Sequence, residues 1–332
     1  MKSGIDKRWA SSPIVTRYPK NPILTAESVP FPSLLTFNAG VAKFLGKYVM
    51  VFRNDYGDAD KKIIQGTNLG LAFSIDGIHW EVQSKPCLEI SDADILWIND
   101  PRLTVIDSRC YLTYAIIARS GVRGGIAVTD DFEHFEICHT SLPDNRNLVL
   151  FPEKIDNKFV RLDRPFANYL RSDPGRFDIW ISNSPDLTYW GNHQLLLDAK
   201  KIPYSNEKIG PGAPPVKTSR GWLHIFHAVY VHPGRRKNGW EGVWNKEYLA
   251  GILLLDKDNP YEVRGFSKKP LIVPEVPYEV SGGFRNHVIF PAGMIVEETG
   301  EVKIYYGAAD TVECLAMGEV DELINFVLDN QT

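Results

Sequence analysis

One pattern of strands repeats five times along this chain of 332 residues. Each copy has a short apolar element with a small or polar residue, an alternating strand that ends in a polar residue, and a third strand followed by a turn. The first elements begin at residues 38, 100, 151, 212 and 290. The second elements are 48–53, 111–114, 159–164, 222–227 and 302–306, and the third are 71–80, 126–135, 179–190, 250–255 and 314–317.

A spacing of roughly 50 to 80 residues fits a four-stranded blade with a variable outer loop. We therefore predict an all-β fold, a five-bladed β-propeller, because two stacked β-sandwiches would not produce five similar triplets. It is expected to be a single domain over 1–332 whose first ~20 residues are an extension. Helical spacing occurs at 320–328, which predicts a short C-terminal helix.

The charge balance argues against some classes of partner. The chain has 37 Lys and Arg against 41 Asp and Glu, so a net charge of −4 gives no long-range attraction to nucleic acid or anionic lipid. The start has no apolar secretory stretch, and no run approaches the ~18 apolar residues of a membrane span. We expect a cytoplasmic protein without nucleic-acid or membrane partners, and a homo-oligomer is left open.

Polar residues at the ends of the repeated strands are the candidate site, because the inner strands of a propeller converge on its axis. They are Asn38, Arg53, Asp55, Asp100, Arg102, Arg146, Arg164, Lys208, His227 and Asp310. The cations among them repel one another and lose hydration unless an anion neutralises them, and phosphate suits such groups. Ordinary ion pairs with carboxylates are the alternative.

Two local motifs bear on the chemistry. Asp100 precedes Pro101, which fixes the backbone, so its carboxyl is a candidate acid; a turn-forming Asp before Pro is the alternative. His224 and His227 are three apart in a strand and face opposite sides, which disfavours a shared metal. We expect no metal site.

Aromatic residues cluster near the same strand ends and in a long loop, 230–248. They are Trp97, Trp240, Trp244, Tyr56, Tyr114 and Tyr306. Aromatic faces are common sugar platforms, although a core role is the alternative for each. The loop is predicted to be an insertion over the axis that shapes an acceptor subsite or a subunit contact.

Several separated motifs, in order, carry a resemblance. They are Asn-Asp-Pro-Arg-Leu at 99–103, Leu-Phe-Pro-Glu-Lys at 150–154, Asp-Arg-Pro at 163–165, Lys-Ile-Gly at 208–210, the strand ending in His227, and Tyr-Tyr-Gly-Ala-Ala-Asp at 305–310. Over residues 20–325 the chain resembles glycoside hydrolase family 130, the mannoside phosphorylases and related hydrolases on a five-bladed propeller.

The resemblance implies a role for each candidate. Asp100 matches the catalytic acid, which protonates the glycosidic oxygen through the 3-hydroxyl of the sugar. The residues implied to hold phosphate are Arg146, Arg164, Lys208, His227 and Tyr248. Those implied to hold the non-reducing mannosyl unit are Asn38, Arg53, Asp55 and Asp310.

The expected reaction is inverting phosphorolysis of a β-mannoside, which gives α-mannose 1-phosphate and a shortened acceptor. An inverting hydrolase needs a second carboxylate to activate water, whereas phosphate is already an anionic nucleophile and needs positioning. Inorganic phosphate is the co-substrate and no other cofactor is expected. Short β-1,4-mannooligosaccharides are favoured over mannosyl-glucose and β-1,2-mannobiose. The alternatives are a β-mannoside hydrolase or a non-catalytic carbohydrate-binding propeller.

Overall fold

The structure is a computed structural model that describes residues 9–89, 92–166, 175–235 and 238–329. Its strands form five antiparallel sheets, which are the five blades of a β-propeller, so the predicted fold is confirmed. The helix predicted at the C-terminus is also present. No helix in the described ranges is long and apolar enough to cross a membrane.

The strands are numbered along the chain, starting with β1 (Val15–Arg17). The first blade contains β2 (Leu35–Phe44), β3 (Lys47–Asp58), β4 (Ile63–Ser74) and β5 (Glu81–Val82). The second contains β6 (Ile95–Ile106), β7 (Arg109–Ala118), β8 (Gly121–Thr129) and β9 (Glu136–Thr140). The third contains β10 (Asn145–Leu150), β11 (Phe159–Pro165), β12 (Ile179–Ser184) and β13 (Gly191–Leu197).

The last two blades follow the same order. The fourth contains β14 (Lys208–Pro211), β15 (Val216–Thr218), β16 (Gly221–Val231), β17 (Lys246–Leu255) and β18 (Val263–Phe266). The fifth contains β19 (Ile289–Val296), β20 (Glu301–Ala308) and β21 (Val312–Glu319), with β1 outermost. The α-helices are α1 (Pro277–Val280) and α2 (Val320–Leu328), and short 3-10 turns lie at Ala26–Ser28 and Ala199–Lys201.

The ring of blades is closed by the N-terminal strand. β1 pairs antiparallel with β21, with Val15 opposite Gly318 and Arg17 opposite Ala316. The Asn21 amide continues this contact by donating to the carbonyl of Leu315 at 2.8 Å. Part of the segment predicted to be an extension is therefore the outer strand of the fifth blade. A strand of three residues is too short to show an alternating pattern in the sequence.

The register of the first repeat element differs from the prediction in two blades. The second and third elements of each repeat overlap strands in all five blades. Two of the first elements do not: 151–154 follows the end of β10, and 212–215 lies between β14 and β15. Pro152, Pro214 and Pro215 fall in these segments. Proline has no N–H to donate to a ladder, so the inner strands end before or at these motifs.

Apolar clusters fill the spaces between neighbouring blades. Five clusters of buried side chains correspond to the five pairs of adjacent blades. Trp222 and Phe226 join the third and fourth blades, and Leu323 and Val327 of α2 pack between the fourth and fifth. The helix is amphipathic because these apolar residues recur on one face. The four cysteines are free thiols, Cys110 and Cys314 buried and Cys87 and Cys138 partly buried.

The inner strands approach the axis so closely that side chains are excluded at some positions. A Cβ on Gly40 of β2 would lie 2.7 Å from Cα of Arg102 and 2.9 Å from the carbonyl oxygen of Pro101, both on β6. These are backbone atoms of the next blade, and they move only if the blade moves. A side chain at position 40 would therefore force the first two blades apart.

The substitution Gly40→Ala should lower the free energy of unfolding by roughly 1–3 kcal/mol, because overpacking displaces the backbone of the second blade. Gly191→Ala is the matched control, because a Cβ there meets no atom within 4 Å. Denaturant titration measures both variants. An equal effect of the two substitutions would contradict the crowding at the axis.

Candidate active site

Bulges in three inner strands turn polar side chains toward the axis. The pairing register shifts between Phe37 and Gly40 in β2, between Asn99 and Arg102 in β6, and between Arg146 and Val149 in β10. Within these shifts the backbone φ is 55° at Asn38, 52° at Asp100 and 59° at Asn147. Asn and Asp adopt this left-handed conformation more readily than most residues, and a bulge re-aims a side chain.

A pocket of about 140 Å³ at the axis brings the predicted residues together. It is lined by Asn38, Arg53, Asp100, Arg146, Asn147, Arg164, Phe166, Lys208, His227, Tyr248, Arg285, Val288, Phe290 and Asp310. Of the residues assigned a role above, only Asp55 does not line it. Strands of different blades thus supply one site, as the propeller geometry predicts.

Two of the sequence candidates lie outside the pocket. Asp55 lies behind Arg53 and accepts from Nε and Nη2 of that guanidinium, each at 2.7 Å, so it orients Arg53 rather than lining the pocket. Arg102, which was a candidate without an assigned role, turns away and donates from Nε to the carbonyl oxygen of Gly212 at 2.6 Å. Arg53 and Asp55 lie two residues apart in a regular part of β3 and therefore share a face, so the alternating pattern does not show which of them reaches the pocket.

The sequence reasoning missed five pocket residues, namely Asn147, Phe166, Arg285, Val288 and Phe290. Asn147 had a signal: it occupies the same bulge in the third blade as Asn38 and Asp100 do in the first two. The prediction placed the third repeat at 151, four residues beyond this bulge. Arg285 lies in an irregular connection with no repeat pattern, so the sequence carried no such signal for it.

Asp100 is an ionised carboxylate in this site. Its Oδ2 accepts from Nη2 of Arg146, and its Oδ1 accepts from the amide of Asn38 at 2.9 Å. Burial raises the pKa of Asp100, but the charges of Arg146, Arg102 and Arg53 outweigh burial and lower the pKa to about 2. As an acid, Asp100 must first lose the influence of at least one of these guanidinium groups.

Most cations of the pocket already have a carboxylate partner. Lys208 contacts Glu207 at 3.3 Å, and Glu207 also pairs with Lys246 at 2.6 Å. Arg164 differs: it is 4% exposed and forms no ion pair with a carboxylate of the described ranges. Burial, followed by repulsion from Arg146, lowers the pKa of Arg164 to about 10. A buried guanidinium without a counter-ion is costly, so this end of the pocket favours an anion.

His227 is neutral, so it is not one of the cations of the pocket, although its place among the candidate phosphate ligands suggested a positive charge. Burial, and then the positive charge of Arg164, lower the pKa of His227 well below its usual value. Its Nε2 accepts from Nη1 of Arg164 at 2.9 Å, and its ring lies 4.7 Å from that of Phe290. His227 therefore orients the guanidinium of Arg164 and adds no positive charge.

The long loop, 230–248, contacts the pocket residue Arg285. The Nε and Nη2 of Arg285 donate to the carboxylate of Glu241 at 2.5 and 2.6 Å, and Nη1 donates to Asp310 at 3.1 Å. Its guanidinium also lies over the ring of Trp244, whose indole stacks on Tyr248 at 5.8 Å. Glu241 and Trp244 belong to the loop, so the loop fixes one wall of the pocket.

Two of the predicted aromatic platforms are core residues, and a third lies at the site. Tyr114 and Tyr306 are buried, in the clusters between the first and second and between the fourth and fifth blades. Tyr306 donates to Glu279 at 2.9 Å. Core packing is therefore their role, whereas Trp244 lies beside the pocket. Within the described ranges no cluster of His, Cys, Asp and Glu is arranged to hold a metal ion.

Comparison with known proteins gives a consistent set of relatives. A family model described as beta-1,4-mannooligosaccharide phosphorylase matches residues 6–329. The beta-1,4-mannooligosaccharide phosphorylase of Ruminococcus albus is 34% identical over 97% of this chain and 93% of its own length. The 4-O-beta-D-mannosyl-D-glucose phosphorylase of Bacteroides fragilis is 27% identical over 95% of this chain and 85% of its own length.

A solved structure also resembles this chain. The beta-1,2-mannobiose phosphorylase of Listeria innocua, in its complex with beta-1,2-mannobiose, matches with a TM-score of 0.80 and 27% identity. The match covers 94% of this chain and 99% of that one.

Replacing Asp100 by Asn should lower the free energy of unfolding by roughly 1–3 kcal/mol at neutral pH, because Arg146 loses its counter-ion. The lowered pKa means that this stabilisation is complete above pH ~4 and is lost as the pH falls toward the folded-state pKa of about 2. Denaturant titration across this pH range measures the difference.

Asp130→Asn is the control, because Asp130 pairs with Arg109 at the surface, where the two side chains are 62% and 46% exposed. Its substitution should change stability by less than about 0.5 kcal/mol. If the difference in the free energy of unfolding between wild type and Asp100→Asn grows as the pH falls, Asp100 is not held ionised.

Proposed function

The chain belongs to glycoside hydrolase family 130 and is a β-mannoside phosphorylase, and we propose that it cleaves β-1,4-mannooligosaccharides by inverting phosphorolysis. The products are α-mannose 1-phosphate and an acceptor shortened by one mannose. The observation that carries this proposal is the pocket that holds both the carboxylate of Asp100 and the buried guanidinium of Arg164, which has no carboxylate partner in the described part of the chain.

We assign the phosphate to the side of the pocket that holds Arg146, Arg164 and Lys208. Guanidinium groups bind phosphate through paired N–H donors, and lysine adds a point charge. A phosphate there neutralises Arg164 and competes with Asp100 for Arg146. His227 and Tyr248 complete the wall, His227 by orienting Arg164, and Tyr248 by packing against the ring of His227.

Asp100 acts as the acid once phosphate is bound. Burial favours its protonated form, and the guanidinium groups oppose burial. When phosphate engages Arg146, that opposition weakens, so the pKa of Asp100 rises and the carboxyl takes up a proton. Phosphate binding thus prepares the acid, because both groups contact the same arginine.

The reaction then proceeds by displacement at the anomeric carbon. A phosphate oxygen forms the new bond to C1 while the bond from C1 to the leaving oxygen breaks on the opposite face. The leaving oxygen takes the proton of the sugar 3-hydroxyl, and that hydroxyl takes the proton of Asp100. Asn38, Arg53 and Asp310 are proposed to hold the mannosyl unit, with Asp55 fixing Arg53 from behind.

A hydrolase would need a second carboxylate to activate water. Asp310 lines the pocket, but its Oδ2 accepts from Arg285 and it is buried, which supports a role in binding sugar instead. The cationic side of the pocket is also better suited to hold an anionic nucleophile than to activate water.

The β-1,4 linkage is the finer part of the proposal. The description of the matching family and the Ruminococcus albus relative support it. The Listeria innocua relative acts on a β-1,2 linkage by its name, so the acceptor side of the pocket must differ between such enzymes. In this chain that side includes Arg285, held by Glu241 of the long loop.

Cleavage of β-1,4-mannobiose should require phosphate and yield mannose 1-phosphate. Asp100→Asn should lower kcat by roughly 10²–10⁴, because the proton donor is lost, yet should still be stabilised thermally by phosphate. Coupled assay of mannose 1-phosphate and thermal melting with phosphate measure these effects. Asp130→Asn is the matched control for both. Mannose release at an unchanged rate without phosphate would identify a hydrolase instead.

The reverse reaction tests the linkage. With mannose 1-phosphate as donor and mannose, glucose and mannobiose as acceptors, we expect β-1,4 products, identified by NMR. Glu241→Gln should raise the KM for the acceptor roughly fivefold and change the KM for mannose 1-phosphate less than about twofold, because it weakens the two bonds between Arg285 and the loop but keeps the bond from Arg285 to Asp310. Glu133→Gln, at an exposed turn, is the control. β-1,2 products would refute the proposed linkage.

A further inference from the structure

A second and larger cavity lies behind one wall of the active site. Its volume is about 430 Å³, and it is lined by residues of β9, of the connection from β9 to β10, and of the third blade. They are His139, Ser141, Leu142, Pro143, Asp144, Asn145, Arg161, Asp163, Pro165, Trp180, Trp190 and His193. This volume is within the range of about 300–1,000 Å³ that is typical of ligand pockets.

The two cavities share the strand ends of β10 and β11. In this pair Asn145 lies opposite Pro165 and Arg146 lies opposite Arg164. Asn145 and Pro165 line the second cavity, whereas Arg146 and Arg164 line the active-site pocket. Successive side chains of a strand point to opposite faces, so the same four positions serve both cavities.

Residues that line the second cavity carry an unusual set of unpaired polar atoms. Six of their buried side-chain atoms have no hydrogen-bond partner in the described part of the chain. They are Nε and Nη1 of Arg161, Nε1 of Trp180, Nε2 of His139, Oδ1 of Asn145 and Oδ1 of Asp163. Most buried polar groups of native proteins are paired, so a cluster of exceptions indicates a ligand or ordered water.

The partners that these residues do have leave the six atoms unpaired. Arg161 contacts Asp163 only at 3.4 Å, through Nη2, and its guanidinium lies over the ring of Trp190 at 4.0 Å. Asn145 donates to the same oxygen of Asp163, Oδ2, at 3.0 Å, which leaves Oδ1 unpaired. Arg161 and Asp163 are 3% and 1% exposed, so bulk water does not compensate them.

The mixture of donors and acceptors selects a class of ligand. Arg161 and Trp180 offer N–H donors, whereas Asn145 and Asp163 offer acceptor oxygens. An anion would be opposed by Asp163 and a cation by Arg161. A hydroxyl group both donates and accepts, and two tryptophan rings provide apolar surface for the faces of a sugar ring.

We propose that this cavity is a second carbohydrate site, which binds one sugar unit of a neutral oligosaccharide apart from the active-site pocket. The site itself rests on the cavity, and only the choice of a mannooligosaccharide as the probe rests on the proposed function. A sugar held there is not cleaved, because Asp100 and Arg164 face the other cavity. Such a site retains a longer chain or a second molecule of substrate near the enzyme.

Binding is tested on Asp100→Asn protein in buffer without phosphate, so that neither phosphorolysis nor hydrolysis consumes the probe. Isothermal titration with β-1,4-mannotriose should show two binding events. Adding Trp180→Phe, which removes the Nε1 donor, should weaken one event by roughly tenfold and leave the other unchanged. His193→Ala, an exposed change in the lining, should weaken the same event.

Trp80→Phe is the matched control, because Nε1 of Trp80 is also buried and has no hydrogen-bond partner among the described residues, but it lies between the first and fifth blades. It should retain both events. The proposal would be overturned if the Asp100→Asn protein showed a single binding event with β-1,4-mannotriose and also with cellotriose. Equal effects of Trp180→Phe and Trp80→Phe on binding would also overturn it. Circular dichroism establishes that each variant is folded.

A crystal soak provides a readout that is independent of catalysis. Wild-type crystals soaked with β-1,4-mannotriose should show a sugar ring against Trp180 and Arg161. Only ordered water on these atoms would overturn the proposal.

Trp180→Phe in the wild-type background should leave kcat for soluble mannobiose within about twofold, because the altered wall faces away from Asp100. Loss of phosphorolysis in wild type would refute the proposed function but not the second site.

Discussion

The convergence of five inner strands on one axis is the constraint on which the rest of this structure depends. The strands come so close that Gly40 leaves no space for a Cβ against the second blade. The same strands cannot remain regular up to the axis, and the bulges at Asn38, Asp100 and Asn147 absorb the irregularity. Because a bulge turns its side chain out of the ladder, the geometry that closes the ring also delivers polar groups to the pocket.

Electrostatics in the pocket follows from bringing these groups together where water has little access. Most of the cations form an ion pair with a carboxylate. Arg53 pairs with Asp55, Arg146 with Asp100, and Lys208 with Glu207. Arg164 has the neutral ring of His227 instead, which positions it without offsetting its charge. Among the described residues, most cations of the pocket thus have an internal ion pair and one guanidinium has no carboxylate partner, an arrangement that suits a reversibly bound anion. The pairing of Arg146 with Asp100 links the arrival of that anion to the protonation of the acid.

The third blade serves two cavities with one pair of strands. Alternation along β10 and β11 places Arg146 and Arg164 on the active-site side, and Asn145 and Asp163 on the other. The opposite wall of the active site depends on an irregular segment, because Arg285 joins Asp310 to Glu241 in the long loop. Variation of such a loop alters the acceptor side without disturbing the propeller.

The repeated strands, the C-terminal helix and most of the pocket residues could be predicted from the sequence, because alternation and repetition are local patterns and a propeller places equivalent strand ends together. The closing strand β1 is too short to carry a pattern, and Arg285 lies outside the repeat. Arg53 and Asp55 share one face of β3, so the alternating pattern alone does not show that Arg53 lines the pocket and Asp55 lies behind it. The charge of His227 depends on its burial among Arg164, Phe290 and Tyr248, groups that come from different blades. The sequence by itself determined which chemical groups reach the axis; only the tertiary structure decided their pairing and protonation, because both depend on distances and burial between distant segments.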